Sequence, residues 1–169
     1  MYQRLIKILF VITLLNLLLF SSYLQAETGP IDKVDPKTRC SVCGMFVAKY
    51  DVWITQLRLN GGTLNSFDGV KDMMAYYFSP RQYGAKEDVK ISELWVKDYY
   101  SLKWLDAREA FYVQGSDVYG PMGHEFIPFS SKAAAETFMK DHHGKKLLTF
   151  DEITAETVEA MRSGMKMKH

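Results

Sequence analysis

Residues 52–68, VWITQLRLNGGTLNSFD, carry the strongest structural signal in the chain. The β-branched and aromatic residues of Val52–Arg58 predict a strand, and Thr63–Phe67 predicts the strand that returns beside it. Between them, Asn60-Gly61-Gly62 is typical of a tight hairpin turn. The segment therefore predicts a two-stranded antiparallel hairpin.

A helix is predicted directly after this hairpin. Asp68 is a residue type that caps helices, and apolar residues follow at helical spacing as far as about Tyr77. Ser79-Pro80 is expected to end the helix, because proline cannot continue one. The first module is therefore predicted to be a β-β-α unit.

The same order of elements recurs in the second half of the chain. Ala110–Val113 predicts a strand, Gly115–Gly123 predicts a long turn, and Glu125–Phe129 predicts the returning strand. Ser130 is expected to cap a helix from about Lys132 to His142. The residues expected to be buried by this helix are Ala133, Ala134, Phe138 and Met139.

An internal duplication would explain this recurrence. The junctions Phe67-Asp68 and Phe129-Ser130 align at an offset of 62 residues, and each is followed by a predicted helix. Between the copies, Leu94–Tyr99 and Leu102–Leu105 predict a connecting hairpin. The predicted fold class is α+β, with two pseudo-repeated β-β-α modules at about residues 40–80 and 90–145.

The N-terminal end has the composition of an export signal. Residues 1–26 combine two basic residues, Arg4 and Lys7, with an apolar run of 13 residues, Ile8–Phe20, and a small residue, Ala26, at the cleavage point. That run is shorter than the roughly 20 residues that a membrane-spanning helix needs. Whether the segment is a cleaved signal or an uncleaved anchor, it predicts a folded part outside the cytoplasm, in the periplasm.

Three further segments complete the organisation. Residues 27–38 are polar and contain two prolines, so they predict a linker to a domain at residues 39–150. Asp151–Met161 predicts a short C-terminal helix. The chain then ends in a tail rich in methionine and histidine within residues 151–169.

The charge balance excludes some partners. Without residues 1–26 the chain carries 19 Lys and Arg (21 less two) against 20 Asp and Glu, so it lacks the basic excess that nucleic-acid binding needs. The sequence also contains no nucleophile–base triad, phosphate-binding loop or nucleotide fingerprint. It therefore predicts a protein that is not an enzyme.

Two segments concentrate soft metal ligands. Cys40-Ser41-Val42-Cys43-Gly44-Met45 holds two thiols and a thioether, which suit copper(I). Gly120-Pro121-Met122-Gly123-His124, in the second module, holds a thioether and an imidazole in a glycine-flanked turn. We expect the two segments to meet across the pseudo-repeat and share one ion, although a single methionine is more often core filler.

Other interpretations of the cysteine pair stay open. A C-x-x-C pair also serves thiol–disulfide chemistry, whereas a zinc site would need further paired ligands. Cys40 and Cys43 follow a proline-containing segment and precede a predicted strand, rather than opening a helix, which favours metal binding over redox chemistry. A metal-free interaction module, using the aromatic residues, is a third interpretation.

In combination, these motifs resemble the NosL family. The resemblance rests on the Cys40–Val47 motif, on residues 104–113, WLDAREAFYV, and on Pro121-Met122-Gly123 followed by Pro128-Phe129, and it spans roughly residues 38–150. It implies a periplasmic copper(I) carrier with a fold similar to part of organomercurial lyase. The ligands that it implies are Cys43 and Met122, with Met45, Cys40 and His124 for the remaining positions.

The resemblance also implies partners. They are the apo form of nitrous oxide reductase, whose copper-sulfide centre the carrier would supply, and the membrane transport complex that assembles that centre. Members of this family are typically lipoproteins, whereas no cysteine ends the apolar run of this chain. A free periplasmic protein, or one tethered to the membrane by an uncleaved N-terminus, is therefore expected.

Overall fold

The computed structural model describes residues 2–3 and 28–164. Apart from residues 2–3, the predicted signal lies outside the described residues, as does residue 165 onward of the methionine- and histidine-containing tail. Among the described residues, no helix combines the length and apolar character that crossing a membrane requires.

The strands are β1 Thr55–Leu59, β2 Leu64–Phe67, β3 Ile91–Lys97, β4 Trp104–Asp106, β5 Phe111–Gly120, β6 Gly123–Phe129 and β7 Lys146–Thr149. The α-helices are α1 Val70–Phe78, α2 Lys132–Asp141 and α3 Ala155–Ser163, with 3₁₀ segments at Val47–Trp53, Pro80–Tyr83 and Phe150–Glu152. The α+β class is confirmed.

The first sheet is antiparallel, with the order β2-β1-β3-β4. The predicted hairpin is present, and its turn uses Gly61 and Gly62 at φ of 96° and 91°, which side chains disfavour. The strand prediction was wrong for Val52–Ile54. Val52 and Trp53 belong to the 3₁₀ segment, and Ile54 follows it. Thr55 pairs with Phe67, the last residue of β2, so residues before Thr55 have no partner in that strand.

Helix α1 begins one residue later than predicted. Its N-cap is Gly69, and no side chain caps it from that position. The prediction that Asp68 caps the helix was therefore wrong. Its carboxylate instead accepts a hydrogen bond from the Cys43 thiol. Ser79 ends the helix, as predicted.

The second sheet has the order β6-β5-β7, again antiparallel. The long turn predicted at Gly115–Gly123 was wrong, because β5 continues to Gly120 and leaves only Pro121 and Met122 between the strands. Gly115 adopts a φ of 79°, and the register shifts between Gln114 and Tyr119. A β-bulge between Gln114 and Tyr119 therefore accommodates the unpaired residues without ending the hairpin.

Helix α2 is capped one residue later than predicted. Ser131, not Ser130, accepts a hydrogen bond from the Ala134 N–H. The buried face shifts with the cap, so Ala135 and Phe138 are buried and Ala133 is exposed. Phe138 packs against the rings of Tyr99 and Phe129.

The remaining segments join the two halves. Strands β3 and β4 form the predicted connecting hairpin within the first sheet, and α3 packs on α1. The segment predicted as a linker is bonded to the first sheet, because the Gln56 amide pairs with both backbone groups of Ile31. Each half contains a hairpin followed by a helix, and a duplication of the chain stays a prediction.

Candidate metal centre

The cysteine motif forms a closed turn before the first sheet. The Cys40 N–H donates to the Met45 carbonyl at 2.8 Å, and the Gly44 N–H donates to the Cys40 carbonyl at 3.0 Å. Gly44 has a φ of 78°, a conformation that glycine adopts without strain. Cys40 is 3% exposed and Cys43 is half-buried. The turn thus presents one thiol at the protein interior and one nearer its surface.

Two carboxylates from the start of α1 face these thiols. The Cys43 Sγ donates to Asp68 Oδ1 at 3.2 Å, and the Cys40 Sγ donates to Asp72 Oδ2 at 3.5 Å. Asp68 directly precedes the N-cap Gly69, and Asp72 lies in the first turn of α1, so both carboxylates lie at the helix start. One atom from each of the four side chains lies within 4.8 Å of the others. The four groups are therefore close enough to hold one ion.

Burial sets the electrostatics of this cluster. Burial raises the pKa of Asp72 above its ordinary value, although hydrogen bonds from the two thiols oppose the rise. The pKa of the Cys43 thiol is raised by its hydrogen bond with Cys40 and then by burial. Asp68 Oδ2 is buried without a hydrogen-bond partner among the described residues. A bound cation would satisfy that oxygen, so the donor set fits a metal ion.

Helix α3 contributes a cation beside the cluster. The Arg162 Nε lies 3.7 Å from Asp72 Oδ1, and its Nη1 donates to the Tyr83 hydroxyl at 2.7 Å. The guanidinium neutralises part of the acidic charge while the carboxylates hold no metal. The C-terminal helix is therefore part of the surroundings of the centre.

The other predicted ligands, Met45, Met122 and His124, come from two segments of the chain. Met122 and His124 line a groove of about 1060 Å³ together with Met161 of α3. His124 is exposed, and its ring lies 4.7 Å from that of Tyr119. Met45 is half-buried in the cysteine turn. The roles of Met45, Met122 and His124 as ligands stay predictions, whereas Cys40 and Cys43 are brought together.

Asp68 and Asp72 are the residues that sequence reasoning missed. The sequence predicts Asp68 as a helix cap and assigns no role to Asp72. Both are nearly fully buried, and a charged group is seldom buried without a partner. The signal that could have identified them is the presence of two acidic residues, four positions apart, at the start of a largely apolar helix.

A family model and one crystal structure agree with this architecture. The model of the NosL family matches residues 30–158, and no curated protein matches the chain. The crystal structure of the copper chaperone NosL from Shewanella denitrificans aligns with a TM-score of 0.62 at 25% identity, covering 78% of this chain and 98% of that one. The solution structure of the apo-NosL protein from Achromobacter cycloclastes aligns with a TM-score of 0.46 at 30% identity, covering 62% and 87%.

Proposed function

The chain belongs to the NosL family, and from that premise we propose that it is a copper chaperone. The observation that carries the proposal is the pair of thiols held against two buried carboxylates, which together form one compact donor set. Thiolate sulfur is a soft ligand and favours copper(I) over harder divalent ions. The structural similarity to the copper chaperone NosL from Shewanella denitrificans supports the same cargo.

The carboxylates give the thiols a route for losing their protons. Metal binding requires the thiolate form, so loading releases protons from Cys40 and Cys43. Each thiol already donates to a carboxylate, Asp72 and Asp68 respectively. In the proposed loading step each Sγ exchanges its bond to hydrogen for a bond to copper(I), and its proton passes to the adjacent carboxylate or to water. The oxidation state of the metal does not change.

Delivery is proposed to take place in the periplasm. The signal-like residues 1–26 support export, and family membership supports nitrous oxide reductase as the recipient, with copper going to its copper-sulfide centre. The membrane complex that assembles the centre would be the second partner. Neither role makes the chain itself a catalyst.

Anaerobic titration of the reduced protein lacking residues 1–26 tests copper binding. We expect one copper(I) per chain, with sulfur neighbours and at most one nitrogen in X-ray absorption spectra. A spectrum with oxygen and nitrogen neighbours alone would overturn the proposal. Delivery is tested separately, by mixing the loaded protein with apo nitrous oxide reductase and measuring copper in each protein after separation.

One observation favours a second function. The two sulfurs are close enough for thiol–disulfide exchange, because they lie within 4.8 Å of each other. However, the pair lies in a turn before a 3₁₀ segment rather than in the first turn of an α-helix, and the pKa of the Cys43 thiol is raised rather than lowered. A pair that cycles between dithiol and disulfide with partner thiols, without copper binding by the reduced form, would establish this alternative.

A further inference from the structure

Lys71 connects the two halves of the predicted ligand set. It lies on α1 beside Asp72, and its side chain is fully buried. Its Nζ donates to the carbonyl oxygens of Met122 and His124, both at 2.8 Å. The start of α1 therefore carries the carboxylates that face the thiols. It also carries Lys71, whose side chain is hydrogen-bonded to the backbone of Met122 and His124.

Glu125 of β6 also connects the two elements, because its side chain is hydrogen-bonded to the backbone of α1. Its Oε1 accepts from the Lys71 N–H at 2.6 Å and from the Phe126 N–H at 2.9 Å. The N–H groups of a first helical turn are usually satisfied by a nearby capping side chain. Here Glu125, 54 residues further along the chain than Lys71, performs that role.

Gly69 makes the close approach possible. A Cβ at this position would occupy the space of Glu125 Oε2, and the φ of 172° is one that any residue can adopt. The glycine is therefore required for space. The side chain of Glu125 fits directly over the helix start, and its two backbone donors fix it there.

Stability alone is a weak reason to bury ionisable side chains such as Lys71 and Glu125, because well-packed apolar residues often serve as well. Helix α2, which follows the second hairpin, provides a comparison with α1. At the offset of 62 residues, Lys71 and Asp72 correspond to Ala133 and Ala134. Helix α2 forms without either charge, so the hairpin–helix geometry does not require them.

We propose that Lys71, fixed by Glu125, is a positioning residue of the copper site. It holds the Met122–His124 turn in a constant position relative to the helical turn of Asp68 and Asp72, so that the thioether of Met122 completes the thiol site. The proposal rests on the proposed function, since it concerns the ligands for copper(I). Groups that orient metal ligands typically change metal affinity by about 10- to 100-fold when they are removed.

The test is a double-mutant cycle in the protein lacking residues 1–26. Lys71→Leu and Met122→Leu are each expected to weaken copper(I) affinity by about 10- to 100-fold, and each to remove one sulfur neighbour from the X-ray absorption spectrum. The double variant is expected to be no weaker than either single variant. Lys132→Leu, which removes an exposed lysine from α2, is the control and should keep wild-type affinity.

A loss of affinity in the double variant equal to the product of the two single losses, or an unchanged sulfur count in Lys71→Leu, would overturn the proposal. Copper binding that survives Cys43→Ser unchanged would instead overturn the proposed function. A measurement on the wild-type, metal-free protein needs no variant to fold. Amide hydrogen exchange in residues 122–125 should occur at the same rate as in the first turn of α1, and much faster exchange of residues 122–125 would also reject the proposal.

Discussion

The two hairpin–helix junctions share a local structure but differ in chemistry. In the first, Asp68 follows β2 and accepts a hydrogen bond from the Cys43 thiol. In the second, Ser130 follows β6, and its N–H donates to Oδ2 of the buried Asp98. The contact between a thiol and a carboxylate is thus not a property of the hairpin–helix unit. It depends on the residues at the start of one helix.

Burial explains why only the first junction can use those residues in this way. Every residue from Val70 to Tyr76 is buried in α1, because this helix lies against β1, β2, β6 and α3. In α2 only Ala135 and Phe138 are buried. A carboxylate at the start of α1 is removed from water and gains from a cation, whereas one at the start of α2 would be solvated.

The largest expected effect is at the thiol nearer the surface. Cys43→Ser should lower copper(I) affinity by more than the roughly 100-fold upper value for groups that only orient ligands, because a hydroxyl is a poor ligand for a soft ion. Competition with a chromophoric copper(I) chelator measures the change. Ser41→Ala, in the same turn, is the control and should bind like the wild type. Equal affinity of the two variants would show that the cysteine turn does not hold the ion.

The carboxylates should show a smaller effect that separates the two junctions. Asp68→Asn is expected to weaken copper(I) affinity by about 10- to 100-fold, since it replaces a charged acceptor of the Cys43 thiol with a neutral amide. Ser130→Ala at the aligned position should leave the affinity unchanged. The same competition assay measures both. If the two substitutions had equal effects, the proposed difference between the junctions would be wrong.

Local signals were enough to predict much of the fold. Asn60-Gly61-Gly62 and Ser79-Pro80 mark a turn and a helix end through properties of the residues themselves. Burial of Asp72 and Lys71 depends instead on elements far along the chain, namely Glu125 and α3. This dependence on distant residues also explains the wrong interpretation of Asp68. Its neighbours in sequence are typical of a helix cap, whereas in the fold it accepts a hydrogen bond from the Cys43 thiol.

The start of α2 provides a prediction on stability. Ser131→Ala should lower the free energy of unfolding by about 1 kcal/mol, the usual cost of losing an N-cap side chain. Ser131→Asp keeps an acceptor for the Ala134 N–H and should cost little. Chemical denaturation of both variants measures the difference. An equal loss in both would mean that the Ser131 side chain does not act through the cap.

The smallest expected effect concerns the C-terminal tail. Its described part is structural, because Arg162 contacts Asp72 and Met161 packs against the core. A truncation that tests the tail must therefore follow Gly164, which lines the groove beside Met122 and His124. The residues removed include further soft donors, Met165, Met167 and His169.

Removing residues 165–169 should leave the equilibrium copper(I) affinity nearly unchanged and slow copper capture at limiting metal. A tethered thioether raises the local concentration of bound copper without adding a ligand at the main site, and it does so without losing a proton. Stopped-flow transfer from a copper(I) chelator measures the rate. Replacing Lys166 and Lys168 with alanine in the full-length chain controls for charge and should keep the wild-type rate. Identical rates in the truncated and full-length proteins would show that the donors beyond Gly164 take no part in capture, and the soft-ligand chemistry would then be confined to the folded domain.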